Sequence, residues 1–252
     1  MLHKRLRDES PMEIAAGVVV QRRWMLWWPL LSAAALVNGH AAPSSQAPTA
    51  SSGGETGWDD FLKQCLPTAK QLHQDSSERG QDTYLRWLAF TAASLRLSSV
   101  PRARVGRFEP LDPPVYFGPA YRGDPFFCIE WKMEPGAVLP PHCHPNVSVC
   151  TLGIEGEAGI RNYEIAGEAP EFSSTKTFRV RQTHDEVIAP GRVNTLSATR
   201  DNIHTFVAGK DGSRGIDITT YHGKDIGFSF LEIEGKPMDV ERQIYEATWK
   251  KL

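Results

Sequence analysis

The residues in this chain best suited to chemistry are histidines. In Gly136-Ala137-Val138-Leu139-Pro140-Pro141-His142-Cys143-His144, two imidazoles stand one residue apart. On an extended strand alternate residues share a face, so His142 and His144 converge while Cys143 turns away. Neutral imidazole is the commonest protein ligand for zinc, iron and copper, so a convergent pair is the beginning of a metal site. Such a pair arises often by chance and needs a third donor. Arg200-Asp201-Asn202-Ile203-His204, farther along the chain, offers one.

The other histidines are weaker candidates. His184 lies in the polar stretch Thr183-His184-Asp185-Glu186 and is expected in solvent; His222, before Gly223 at the end of an expected strand, is a candidate for a pocket rim. His3, His40 and His73 fall in the leader or on a helix surface. Cys65, Cys128, Cys143 and Cys150 form no C-x-x-C pair, which excludes a zinc ribbon and argues against a dense disulfide framework. Buried free thiols are the expectation. Asn146-Val147-Ser148 matches a glycosylation sequon, but it abuts the histidine segment and reads as accidental.

Elements of two kinds must hold these groups. Trp58, Phe61, Leu62, Cys65, Leu66, Ala69 and Leu72 form a helical apolar stripe with Pro67 in its middle, predicting a kink or two short pieces. Tyr84, Leu85, Trp87, Leu88, Ala92 and Leu95 form a second stripe. The Pro-rich path from Val100 to Gly123 reads as an irregular, partly extended arm. After Phe126 the pattern turns to β, with short runs expected at 126–133, 147–154, 158–165, 176–181, 193–198, 203–208 and 215–221. Met238 to Trp249, following Pro237, reads as a closing helix. The implied class is all-β, a small barrel or jelly roll with helices before it and a short one after it.

The beginning of the chain differs from the rest. A basic start (Lys4, Arg5, Arg7, then Arg22-Arg23) precedes the apolar run Trp24 to Val37 and the small residues around Ala41-Ala42, the layout of a secretory leader over residues 1–41. Arg22-Arg23-Trp24-Met25-Leu26 loosely resembles a twin-arginine export signal, which makes an exported, periplasmic location the expectation. A misassigned start, with Met12 or Met25 as first residue, would instead place the protein in the cytoplasm. The apolar run is shorter than the ~20 residues a bilayer span needs, so no stable span is expected in the mature chain. Residues 42–57, rich in Ser, Ala, Pro and Gly, read as a disordered linker. A helical segment over 58–100 and a barrel domain over 101–252 complete the organisation. Charge balance (net −2, no long basic run) excludes an electrostatic nucleic-acid surface, and of the seven tryptophans Trp24, Trp27 and Trp28 sit in the leader.

The histidine segments also carry a family resemblance. The spacing Gly136-x5-His142-x-His144-x4-Val149-x6-Gly156 resembles the first motif of the cupin superfamily at both glycines and both histidines, with Val149 where the usual glutamate ligand falls. His204 sits where the second motif supplies a further histidine, although Thr199 and Asp201 replace the proline and glycine usual there. Within the superfamily the pattern is similar to the thiol dioxygenase branch, that of cysteamine dioxygenase and the plant cysteine oxidases. His142-Cys143-His144-Pro145 matches its H-x-H-P motif, Asp201-Asn202-Ile203-His204 its second motif, and Ile129 to His142 its approach strand. Asp217-Ile218-Thr219-Thr220-Tyr221 matches a later segment, with the family's tyrosine two residues farther on. The similarity covers roughly 126–222.

What the resemblance implies is a cupin double-stranded β-helix with His142, His144 and His204 as metal ligands, and Asp217 and Tyr221 as candidate catalytic residues. The implied cofactor is Fe(2+), and the implied partners are dioxygen and a small thiol or N-terminal cysteine, oxidised to a sulfinate. Three imidazoles leave a ferrous ion its full charge, which an anionic thiolate balances. Asp217 would orient a ligand imidazole or meet the substrate's amine, and Tyr221 would donate to substrate or oxygen. Cys150 lies one residue off the position that would match the thioether-forming cysteine of cysteine dioxygenase proper, and is expected in the core. Two alternatives stand beside the enzyme: a cupin that binds metal without turnover, and a zinc or manganese cupin of another reaction class.

Overall fold

The computed structural model describes residues 55–109, 111–223 and 229–250. The expectations for the leader (1–41) and for most of the linker (42–57) therefore lie outside the described residues.

Among the described residues helices α1 (Trp58–Gln74) and α2 (Glu78–Ala93) come first, followed by ten strands. These are β1 (Gly106–Phe108), β2 (Val115–Arg122), β3 (Phe126–Met133), β4 (Val138–Cys143), β5 (Val147–Ile165), β6 (Phe178–Ile188), β7 (Val193–Leu196), β8 (Ile203–Tyr221), β9 (Ser229–Ile233) and β10 (Ile244–Lys250). All the named strand pairs are antiparallel. Both helical stripes form as expected: Trp58, Phe61, Cys65, Ala69 and Leu72 are buried along α1, and Tyr84, Leu85, Leu88 and Ala92 along α2. Ser77 caps α2 by accepting from the Gly80 amide at 3.2 Å. Pro67 does not divide α1; it sits exposed within a single helix, where the turn before it gives up one hydrogen bond on the wet side.

Two long bent strands organise the barrel. The runs expected at 147–154 and 158–165 are one strand, β5, and those expected at 203–208 and 215–221 are one strand, β8. The bends fall where their mutual register shifts, between Gly153 and Glu155 and again between Gly156 and Ala158. Gly156 and Gly212 meet there, both at positive φ (64° and 75°), and a Cβ on Gly156 would stand 2.2 Å from the Gly212 carbonyl oxygen. Each long strand thus contributes to two layers. One layer runs β1-β2-β3-β8-β5-β7, and the other runs through the opposite ends of β8 and β5 to β4 and β6. Hydrogen bonding closes a full circuit, β8-β4-β9-β10-β6-β5 and back to β8. Trp131 and Phe206, with ring centroids 5.3 Å apart, pack across the interior between the layers.

The helices cover the first layer from outside, packing on Cys128, Cys150, Leu152, Ile216 and Ile218. That explains the unbroken burial of β5 from Val147 to Ile154: one face meets the helices and the other the barrel interior. Cys150 is in this core, as expected. A smaller apolar cluster of Cys143, Tyr163, Phe178, Val180, Ile203, Leu231 and Trp249 lies under β9 and β10.

Two further expectations are corrected. The closing helix over 238–249 is absent: Ile244–Lys250 is β10, paired with β6 and β9. Its residues alternate, with Ala247 and Trp249 buried and Glu246 and Lys250 exposed, and Tyr, Thr and Trp favour strand. The arm from 100 to 123 also contains β1 and β2, which extend the first layer beyond β3.

Candidate metal centre

His142 ends on the inner face of β4, and β4 runs directly beside the start of β8, so His142 and His204 are paired residues of one ladder. Pro140 and Pro141 precede His142, and the register skips between Leu139 and His142, so both prolines sit in a bulge where no ladder donor is missed. His144 lies just beyond the end of β4, its amide donating to the Asn202 carbonyl at 3.1 Å. This bond ties the first histidine segment to the second. Cys143 turns outward into the small cluster with Ile203, as strand alternation requires.

The three imidazoles converge. His204 Nε2 lies 3.0 Å from His144 Nε2 and 3.0 Å from His142 Nε2. One ring nitrogen from each residue lies within 4.8 Å of the other two. His142 Nδ1 is 2.8 Å from the Pro140 carbonyl oxygen, which only accepts, so Nδ1 carries the proton and Nε2 presents a lone pair inward. Burial pushes His142 down to about 4. It also holds His144 and His204 well below the ordinary histidine range, with the neighbouring imidazoles adding to the effect. All three rings are therefore neutral at pH 7, the state a metal requires. Such crowding of nitrogens fits a divalent cation at the shared point, and His142, His144 and His204 are the residues that would hold it.

Among the described residues no carboxylate joins the group. Val149, where the motif resemblance would place a glutamate, is buried with Val147, Leu196 and Tyr221, with Phe127 packed against them, forming an apolar wall. Asp217 is inside the barrel, in register with Thr151 and Ile129. Its Oδ1 accepts from Thr151 Oγ1 at 2.7 Å and from Trp131 Nε1 at 3.3 Å. These bonds take the place of the expected one to a ligand imidazole. Burial raises the Asp217 carboxyl to about 6, against the two hydrogen bonds, which lower it. The Tyr221 hydroxyl donates to Asp124, and burial pushes its pKa upward.

Histidines judged peripheral have defined places. His73 on α1 lies with Nδ1 2.7 Å from the Tyr221 carbonyl oxygen, a contact no local pattern announces. His222 Nε2 is 3.0 Å from Ser148 Oγ. His184 is half-exposed and 3.8 Å from Asp201. Sequence reasoning missed Asn162, Asn194 and Glu186, which form a hydrogen-bonded chain inside the barrel. Their spacing in sequence carries no signal, because three different strands bring them together.

No family model matches the chain, and no curated protein matches it. Solved structures with a similar fold include KdgF from Halomonas sp., at 18% identity and TM-score 0.33, over 48% of this chain and 88% of that one. Another is oxalate oxidase in complex with the substrate analogue glycolate, at 17% identity and TM-score 0.31, over 42% of this chain and 46% of that one. A third is procruciferin, the 11S globulin of Brassica napus, at 11% identity and TM-score 0.35, over 46% of this chain and 27% of that one. The chain thus spans about a quarter of the globulin and under half of the oxidase. The class rests on the strand pairing rather than on these likenesses. It is a cupin-type double-stranded β-helix whose interior gathers three histidines able to hold a metal ion.

Proposed function

We propose that this protein is an Fe(II)- and O2-dependent thiol dioxygenase, acting on a small thiol or an N-terminal cysteine. The observation that supports this best is a donor set of three neutral imidazoles with valine at the usual acidic position. The net reaction balances without a further reductant: a thiolate and dioxygen give a sulfinate, with two S–O bonds formed and the O–O bond broken. Sulfur loses four electrons and dioxygen gains them. Bound iron would supply the redox chemistry that lets a thiolate react with dioxygen.

The chain's own residues supply charge balance, dryness and orientation. Three uncharged ligands leave the ion's positive charge to be met by an anionic thiolate, which favours deprotonation of the substrate near pH 7. Val147, Val149 and Leu196 keep water from one side of the site. Asp217 presents a carboxylate to a substrate amine while Thr151 and Trp131 hold it in place. Because the Tyr221 hydroxyl is engaged by Asp124, Tyr221 acts by closing the apolar end of the site rather than by donating to oxygen. An exported location follows from the leader pattern alone; N-terminal sequencing of the mature protein tests it.

The deciding experiment is anaerobic purification with metal analysis, followed by oxygen uptake with cysteine, cysteamine and 3-mercaptopropionate. Stoichiometric iron and thiol-dependent oxygen uptake matched by sulfinate are expected. Zinc at full occupancy with no thiol-dependent uptake would overturn the proposal in favour of a zinc cupin or a non-catalytic metal-binding one.

A further inference from the structure

Asn162 lies directly opposite His204 in the ladder between β5 and β8, and it is fully buried. Opposite residues in such a ladder keep their Cβ atoms about 4.5–5.5 Å apart, so this amide stands beside a candidate metal ligand. Asn194, on β7, faces it across the interior. The two amides bond reciprocally, Asn162 Nδ2 to Asn194 Oδ1 at 3.1 Å and Asn194 Nδ2 to Asn162 Oδ1 at 2.9 Å. Asn194 Nδ2 also donates to Glu186 Oε1 at 2.6 Å.

That last bond sets the direction of the chain. A carboxylate accepts, so the Asn194 atom facing Glu186 must be its nitrogen. The reciprocal pairing then requires Asn162 to offer nitrogen, not oxygen, to Asn194 Oδ1. Glu186 thereby fixes the orientation of an amide it does not touch. An amide nitrogen carries two hydrogens, and the second on Asn162 has no acceptor among the described residues. On the opposite residue of the ladder, His204 Nδ1 is likewise buried with no hydrogen-bond partner among the described residues. Buried polar atoms are normally paired, and an unpaired pair at one place asks for a ligand or an ordered water.

We propose that Asn162, oriented by Glu186 through Asn194, donates its remaining amide hydrogen to an oxygen of an anionic ligand bound at the three-histidine centre. In the dioxygenase reading, on which the identity of that ligand rests, the oxygen belongs to the sulfinate product. Asn162 is then a specificity-determining residue, selecting a ligand with an acceptor on the side of β5. Glu186 and Asn194 are positioning residues.

The test uses the full chain loaded with Co(II), whose visible spectrum reports ligand binding without turnover, titrated with ethanesulfinate. This probe carries the oxyanion but neither an amine nor a carboxylate. Wild type should bind saturably. Asn162→Ala should bind roughly tenfold more weakly, the loss expected for one hydrogen bond to a charged group. Asn162→Asp, similar in size but presenting acceptors only, should bind more weakly still. Both variants should keep full cobalt stoichiometry, which shows the centre is formed. Equal affinity in wild type and both variants, or no binding by cobalt-loaded wild type, would overturn the role of Asn162. Sulfinate binding that depends on Asn162, in a protein whose iron form consumes no oxygen with thiols, would sink the dioxygenase proposal and leave the role of Asn162 standing. Thiol-dependent oxygen uptake with unchanged sulfinate affinity in the variants would do the reverse.

Discussion

Among the described residues, two buried clusters are made of residue types that bind metals, and only one has the form of a site. Cys65, Cys128 and Cys150 come together under the helices from α1, β3 and β5. His142, His144 and His204 come together inside the barrel from two segments of chain. The thiols are surrounded by Phe61, Leu85, Leu88, Ile216 and Ile218, and burial pushes all three well above the ordinary cysteine range. A thiol held protonated is neither nucleophile nor ligand; it is a small apolar side chain. The same desolvation acts oppositely on imidazole, whose neutral form is the ligand. Burial therefore disarms one cluster and arms the other. Convergence completes the difference, because the histidine nitrogens share a point and the thiols do not form such a group.

The sharpest way to break this contrast is to remove one imidazole. His204→Ala should lower bound metal by roughly tenfold or more, since changes beyond the ligands alone cost about 10–100-fold; metal analysis of the purified variant checks it. Near-normal metal content would show that the rings do not act together.

Asp217 gives a smaller effect with a definite sign. Its folded pKa, raised from 3.8 to about 6, means that the folded state holds its proton more tightly than the unfolded chain. The associated stability is fully present below about pH 4 and is lost as pH rises through about 6, a change of about 3 kcal/mol from this group. In the metal-free protein, Asp217→Asn should flatten that slope, as read from denaturant midpoints between pH 4 and pH 7. The variant should still hold metal, because Asp217 bonds to Thr151 and Trp131 and not to an imidazole. A slope unchanged by the substitution would assign it to other groups.

The cysteine cluster should respond least. Cys150→Ala removes a sulfur from a packed core and should cost about 1 kcal/mol of stability while leaving metal content unchanged. Parallel loss of metal would mean that the two clusters are coupled through β5.

How much of this was legible in the sequence differs from element to element. The apolar stripes located α1 and α2, and the run 126–133 matches β3 residue for residue. β5 and β8 each read as two strands, because Gly156 and Gly212 punctuate them as turns would; only the partner strand across the bend shows that the chain continues. β4 carries Pro140 and Pro141, which argue against a strand until the bulge that absorbs them is seen. β10 was misread because a short run with mixed apolar spacing suits helix or strand, and its pairing with β6 and β9 decided the matter.

By itself the sequence offered the candidate ligands, two histidines placed one apart on an extended segment and a third at the start of a strand; the lack of an acid, with Val149 at the glutamate position, was legible only through the family resemblance. Those are local facts, fixed by side-chain chemistry and by the alternation of an extended chain. The tertiary structure alone decided that the three nitrogens meet, that Asp217 bonds to Thr151 and Trp131, and that Glu186 orients Asn162 beside His204. These depend on register between strands far apart in the chain, and a one-residue slip in any ladder would turn the same side chains to the opposite face.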